Sequence, residues 1–260
     1  MSVEFAVKDN VARVTIDRAD RMNAIDDATE AALERVWAEI EADDAIRCVV
    51  LTGAGDRAFC AGADMKSGAG KSGLEYWVHN NPNGFGGIAL RQTMRVPVIA
   101  RVNGVALGGG LEMVLGCDIV IAADTARFGL TEAKVGRLPL DGGMVMLPRL
   151  IPEKIAAGLM MTGRMMTATV AASYGLVNAV VPGDCLDDEV SAWVDDIVRC
   201  APLSVAAIKA TIRKTAHLPP LEARALKLPE LIAALTSMDA DEGIAAFREK
   251  IGRASCRERV

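Results

Sequence analysis

Residues 102–143 read VNGVALGGGLEMVLGCDIVIAADTARFGLTEAKVGRLPLDGG, and this stretch decides the fold. Just ahead of it, VIARV (98–102) has the β-branched, apolar character of a buried strand. Gly108, Gly109 and Gly110 stand where that strand-like region gives way to a helix. Glycine lets a backbone turn freely and come close to a ligand. The first turn of a helix has N–H groups without intrahelical partners, at the positive end of its dipole. Such an end suits an oxygen that develops negative charge. Glu112 follows one turn later beside Met113, Val114 and Leu115, which predicts a buried carboxyl with a raised pKa. Glu132 comes after a second strand-like run (DIVIAAD, 118–124) and a short turn. Its setting, TEAK, reads equally well as an exposed helix start. Two carboxylates and a set of free amide donors are the parts that acid–base chemistry needs beside a polarised carbonyl.

Upstream, residues 3–8 and 11–17 alternate around Asp9-Asn10, predicting a hairpin. Leu33, Val36, Trp37 and Ile40 predict an amphipathic helix over 27–42, capped by aspartate. RCVVLT (47–52) predicts a buried strand, and the glycine-rich run from Thr52 to Gly73 a long functional loop. Residues 84–95 read as helical. The segment 66–95, rich in glycine and asparagine, is expected to supply pocket residues as a mobile lid. Downstream of Gly143, helices dominate: MVMLPRLIPEKIAAGLMMTG and TATVAASYG, a short VNAVV strand, then 186–199, 202–217, 219–236 and 239–250. Strand–helix alternation over the first two-thirds and helices over the last third give one α/β core with a helical tail. The last ten residues, IGRASCRERV, look like a translated short-read sequencing adapter and are set aside from fold reasoning.

Composition narrows the function classes. A chain of 260 residues with 51% hydrophobic residues can bury a large core. The formal charge of −5 and the lack of a Lys/Arg run argue against nucleic-acid binding. No apolar stretch approaches the ~20 residues that span a bilayer. The N-terminus reads straight into strands without a signal-peptide pattern, so the expected location is the cytoplasm. Six cysteines form no CxxC pair and are expected as reduced thiols. Only His79 and His217 are present, which excludes a His-rich metal site, and no metal is expected. LTGAGDRA resembles a dinucleotide-binding turn, but no amphipathic helix follows it. A P-loop and a G-x-S-x-G elbow are both absent.

FCAGADMK (59–66), NGVALGGGLEMVLGCDIVIAAD (103–124) and FGLTEAKVGRLPLDGG (128–143) together resemble the enoyl-CoA hydratase/isomerase (crotonase) superfamily. RMNAID (21–26) and AAFREK (245–250) extend the resemblance over residues 3–250. It implies a crotonase (ClpP-like) spiral of repeated ββα units over 1–195 and a C-terminal helical trimerisation region over 196–250. Residues 251–260 would be a non-native tail. It further implies an acyl-CoA substrate, a homotrimer or hexamer, and no cofactor, since coenzyme A is part of the substrate. The family's oxyanion hole falls on the backbone N–H groups of Ala63 and Gly109. Its two catalytic glutamates fall on Glu112 and Glu132. Coenzyme A is expected along Ala24 and Ile25, with the adenine near Ala61, Asp64 and Met65. Phe247 and Lys250, from a neighbouring subunit, match positions that pack on adenine and meet phosphate. The implied reaction is addition of water across the 2,3 double bond of a 2-enoyl-CoA. The alternatives are carnitinyl-CoA dehydration, Δ3-Δ2 isomerisation or thioester hydrolysis, and a non-catalytic CoA-binding scaffold is disfavoured because both acids are present. One departure stands out: Leu140 occupies a position where many hydratases have glycine, and it is expected to crowd the space beside Glu132.

Overall fold

The computed structural model describes residues 2–66, 73–78 and 81–237. The helix expected over 239–250, the tail 251–260, His79, Phe247 and Lys250 lie outside the described residues. The chain divides into two compact units, Met1–Ile197 and Val198–Val260. Among the described residues no helix is long and apolar enough to cross a membrane.

The first unit is built on two sheets. Strands β1 (Val3–Lys8) and β2 (Val11–Ile16) form the predicted hairpin, with Asp9 and Asn10 both at positive φ in the turn. Helix α1 (Asp27–Ala42) has the predicted bounds, and its cap is Asp26, whose side chain accepts from the Thr29 N–H at 2.9 Å. Strand β3 (Cys48–Gly53) pairs in parallel with β2 and with β5 (Val98–Val102). Strands β7 (Ile119–Ala123) and β10 (Ala179–Val181) complete a six-stranded sheet in the order β1-β2-β3-β5-β7-β10. Its central parallel strands β3, β5 and β7 are largely apolar and buried, as expected for strands covered on both faces.

The second sheet is smaller and positions the site. Its order is β4 (Ala58–Cys60), β6 (Val105–Leu107), β8 (Arg127–Gly129) and β9 (Met166–Thr167). Strands β4, β6 and β8 run parallel, with Cys60 opposite Ala106 and Leu107 opposite Gly129. The chain therefore leaves all three at the same end of the sheet. Helices α2 (Gly73–Val78), α3 (Gly109–Gly116), α4 (Gly143–Leu150), α5 (Glu153–Thr162), α6 (Ala168–Ser173) and α7 (Leu186–Val198) follow in chain order. The second unit contains α8 (Pro202–Thr215), α9 (Pro220–Ala225) and α10 (Pro229–Leu235), with Lys214 Nζ on α8 paired to Glu230 on α10.

Three local expectations are corrected. Residues 84–95 do not form the predicted helix; only Phe85–Gly87 makes a 3₁₀ turn. Gly84, Gly86 and Gly87 all have positive φ, so the segment keeps only short turns of its own and is anchored by side chains of α1. The Gly86 N–H donates to Glu30 Oε2 (3.0 Å), the Gly86 carbonyl accepts from Trp37 Nε1 (2.7 Å), and Arg91 Nη1 reaches Glu34 Oε2 (2.9 Å). The glycine-rich run from Thr52 to Gly73 is not all loop, because β4 lies within it. The helix expected over 219–236 breaks into α9 and α10, since Leu228, ahead of Pro229, is extended (φ −67, ψ 138).

Candidate active site

Helix α3 begins directly after β6. Gly108 caps it with φ 55 and ψ −129, a conformation that favours glycine. A Cβ on Gly110 would lie 2.1 Å from the Cys60 carbonyl, so the end of β4 can rest directly against α3. All eight residues of α3 are buried. Glu112 is 3% exposed, as its apolar neighbours predicted.

Two main-chain donors come to the start of this helix. Ile25 forms a parallel bridge with Ala63: the Ile25 N–H donates to the Gly62 carbonyl (2.9 Å), and the Asp64 N–H donates to the Ile25 carbonyl (2.8 Å). That pattern directs the N–H of Ala63 itself away from Ile25. Gly62 packs so closely on α3 that a Cβ there would sit 2.9 Å from the Leu107 carbonyl and 3.3 Å from the Gly109 nitrogen. Gly109 is the first residue of α3, where the amide has no intrahelical acceptor. Ala63 and Gly109 are thus brought together at one end of the small sheet.

Glu132 opens a 3₁₀ turn three residues beyond β8. Because β6 and β8 end level, with the Gly108 N–H donating to the Gly129 carbonyl (2.9 Å), this turn lies over the helix start. Glu132 Oε1 is 3.2 Å from where a Cβ on Gly108 would be. Glu132 Oε2 is buried and has no hydrogen-bond partner among the described residues. The Glu112 carboxyl accepts from the Gly143 N–H at the start of α4 (2.9 Å), and also from the main chain of Asp141. Burial, together with the nearby Asp141 and Glu132 carboxylates, nonetheless pushes its pKa up to about 8. Burial also raises Glu132. Glu132 is one of the lesser influences on Glu112, after burial and Asp141.

Several polar residues at the site had no role in the sequence reading. Asp141, 5% exposed, accepts a hydrogen bond from Tyr76 Oη at 2.5 Å and another from the Phe85 main chain. Burial raises its carboxyl and raises the Tyr76 phenol as well. Glu30, held by the Gly86 N–H, is pushed up to about 7, again chiefly by burial. The LPLDGG string held a signal for Asp141, an acid between apolar and glycine residues, whereas nothing around Tyr76 distinguishes it in sequence. Leu140, in the same turn, is half-buried.

The positions expected to meet coenzyme A also converge. Ala24 and Ile25 are buried and run beside 61–64. Arg18, another unread residue, organises them: it donates to the Ala24 carbonyl and pairs with Asp26 (2.8 Å) and Asp64 (2.9 Å). Burial works to raise the Asp64 carboxyl, but the Lys66 N–H and Arg18 outweigh it and hold the group below its ordinary range. Asp64 is therefore committed to Arg18, while Ala63 and Met65 are exposed and Ala61 is half-buried.

Comparison with known proteins gives this arrangement its class. The enoyl-CoA hydratase/isomerase family model matches residues 6–254. The mixed α/β fold is that of the crotonase superfamily, and the chain belongs to this family. It is 41% identical over 212 residues to (E)-benzylidenesuccinyl-CoA hydratase of Thauera aromatica, covering 80% of this chain and 81% of that protein. It is 38% identical over 253 residues to carnitinyl-CoA dehydratase of Escherichia coli K12, covering 96% of each. Among solved structures, the enoyl-CoA hydratase of Mycobacterium smegmatis superposes with a TM-score of 0.88 at 32% identity, covering 96% of this chain and 97% of that one.

Proposed function

We propose that this protein is an acyl-CoA hydratase that adds water across the 2,3 double bond of a 2-enoyl-CoA. The N–H groups of Ala63 and Gly109 hold the thioester oxygen as it takes on enolate charge. Glu112 accepts a proton from the attacking water while Glu132, protonated at that moment, delivers one to the α-carbon. The oxygen bonds to the β-carbon, leaving Glu112 protonated and Glu132 ionised, and passage of that proton from Glu112 to Glu132 restores the starting pair. Burial raises both carboxyls, so near neutral pH Glu112 is largely protonated. The reactive form is the one in which Glu112 is ionised and Glu132 carries the proton, and its raised pKa then makes Glu112 a stronger base than an ordinary carboxylate. Run backwards, the same groups dehydrate a 3-hydroxyacyl-CoA.

The observation that carries this reading is Glu132 Oε2: a buried acceptor without a protein partner among the described residues, in the electrostatic neighbourhood of Glu112. A buried acceptor of this kind calls for a partner, and a water shared with Glu112 supplies one. A second reading, dehydration of a functionalised acyl-CoA such as carnitinyl-CoA, is favoured by the 38% identity to carnitinyl-CoA dehydratase across nearly both chains. Two carboxyls favour either of these over isomerisation. In this reading coenzyme A, carried by the substrate along Ala24, Ile25, Ala61, Asp64 and Met65, is the only cofactor-like group. The active form is a homotrimer or hexamer, and analytical ultracentrifugation tests that.

The decisive assay uses Glu112→Gln and Glu132→Gln on crotonyl-CoA and on 3-hydroxyacyl-CoA substrates, with folding checked by circular dichroism. Each variant is expected to lose about 10²–10⁴ in turnover. Near-wild-type turnover in either one sinks the two-carboxylate mechanism.

A further inference from the structure

Helix α2 carries Leu74, Trp77 and Val78 at 60% exposure or more, and Tyr76 is its one residue that is not exposed. The Tyr76 phenol reaches across 65 positions to Asp141 Oδ2 at 2.5 Å. Asp141 begins the turn that holds the base: its own main chain and that of Gly143 both donate to the Glu112 carboxyl. The Asp141 side chain is buried, and Tyr76 Oη and the Phe85 main chain donate to it. A buried carboxylate stripped of a donor moves or takes up a proton. Either response would disturb the turn from which Glu112 is held.

We infer that Tyr76 and Asp141 are positioning residues for Glu112: the phenol fixes the Asp141 side chain, and the 141–143 turn so fixed presents its N–H groups to the Glu112 carboxyl. This rests on the reading above, in which Glu112 takes the proton from water. Neither residue needs to touch the substrate. The chain of contacts runs from helix α2, through one hydrogen bond, into a turn, and through two main-chain donors to the reacting group.

The test compares Tyr76→Phe, Asp141→Ala, Asp141→Asn and the Tyr76→Phe/Asp141→Ala double variant, with kcat, KM and Tm measured for each. Tyr76→Phe and Asp141→Ala are each expected to lower kcat about tenfold or more, as small misplacements of a reacting group do, with KM within about twofold. The double variant is expected to be no worse than Asp141→Ala alone, because both changes break one link. Asp141→Asn is expected to recover most of the rate, since an amide oxygen still accepts from the phenol. Wild-type kcat in Tyr76→Phe, multiplicative losses in the double variant, or an Asn variant as impaired as the Ala variant would each overturn the proposal. Hydrogen exchange of α2 and of residues 141–143 separates this link from the proposed reaction. Faster exchange at both places in Tyr76→Phe supports the link even if no enoyl-CoA is turned over, and unchanged exchange overturns it whatever the activity.

Discussion

Gly143 donates its N–H to Glu112 Oε1 at 2.9 Å, and a Cβ on Gly143 would stand 3.1 Å from that same oxygen. The donor and the absence of a side chain are thus one requirement. A Cβ there would also meet Pro139 Cβ at 2.7 Å and Leu130 Cδ1 at 2.9 Å. Gly143→Ala is therefore expected to lose about 1–3 kcal/mol of stability by overpacking. Urea denaturation checks this, and turnover should fall further than stability alone explains, because the Glu112 carboxyl must shift.

Glu112 also makes the fold sensitive to pH. Its pKa is raised from an ordinary 4.5 to about 8. In that interval the folded state holds a proton that the unfolded state has released. The Glu112 contribution to stability is thus fullest below pH 4.5 and is lost as pH rises toward about 8, by an amount on the order of a few kcal/mol. Glu30, raised to about 7, adds to the same trend. Glu112→Gln keeps an acceptor for Gly143 and cannot ionise. It is expected to be more stable than wild type at pH 8 and similar at pH 5, by urea melts at both, while losing activity. Equal stabilities at pH 8 would contradict the buried, proton-holding carboxyl described above.

Arg18 joins the Ala24 carbonyl, Asp26 and Asp64, and so ties the segment 24–26 to the loop that carries Ala63. Arg18→Ala leaves two carboxylates without their cation and frees that loop. The expected result is a KM for CoA thioesters raised about tenfold, with kcat falling less, because the loss is chiefly of binding common to ground and transition states. Steady-state kinetics on crotonyl-CoA decide it. A change confined to kcat would mean that Arg18 acts on the reacting atoms instead.

Local pattern revealed much of this molecule. The bounds of α1 and β5, the hairpin at Asp9-Asn10 and the burial of Glu112 all follow from periodicity, turn residues and apolar company, which are short-range properties. Residues 84–95 misled for the complementary reason. Their apolar spacing is helical, but three glycines at positive φ and partners on α1, about 50 positions away, decide the conformation. Tyr76 and Arg18 were illegible on the same ground, and Asp141 showed only as an acid between apolar and glycine residues, without its partner. A tyrosine in a glycine-rich stretch acquires meaning only when the fold sets it 2.5 Å from an aspartate 65 positions on. Glu132, ambiguous in sequence, becomes specific once β6 and β8 are seen to end level.

Arg91 shows how much rests on one of these long-range links. It is 5% exposed, its Nε and Nη2 bond Glu41 at 2.8 Å each, and its Nη1 bonds Glu34 at 2.9 Å and the Gly87 carbonyl at 3.1 Å. This forked contact holds the 84–91 segment against α1. The same segment places Phe85 where a Cβ on Gly109 would be only 2.5 Å from its ring. Arg91→Ala leaves two carboxylates without their partner and is expected to cost about 3–5 kcal/mol, measured by urea denaturation. Arg91→Lys keeps the charge but cannot bond Glu41 through two nitrogens, so it should recover only part of that loss. The shift of Phe85 should also loosen the start of α3, so Arg91→Ala is expected to lose turnover at temperatures where it is still folded. Full stability in the lysine variant would show that charge alone, and not the fork, secures this segment.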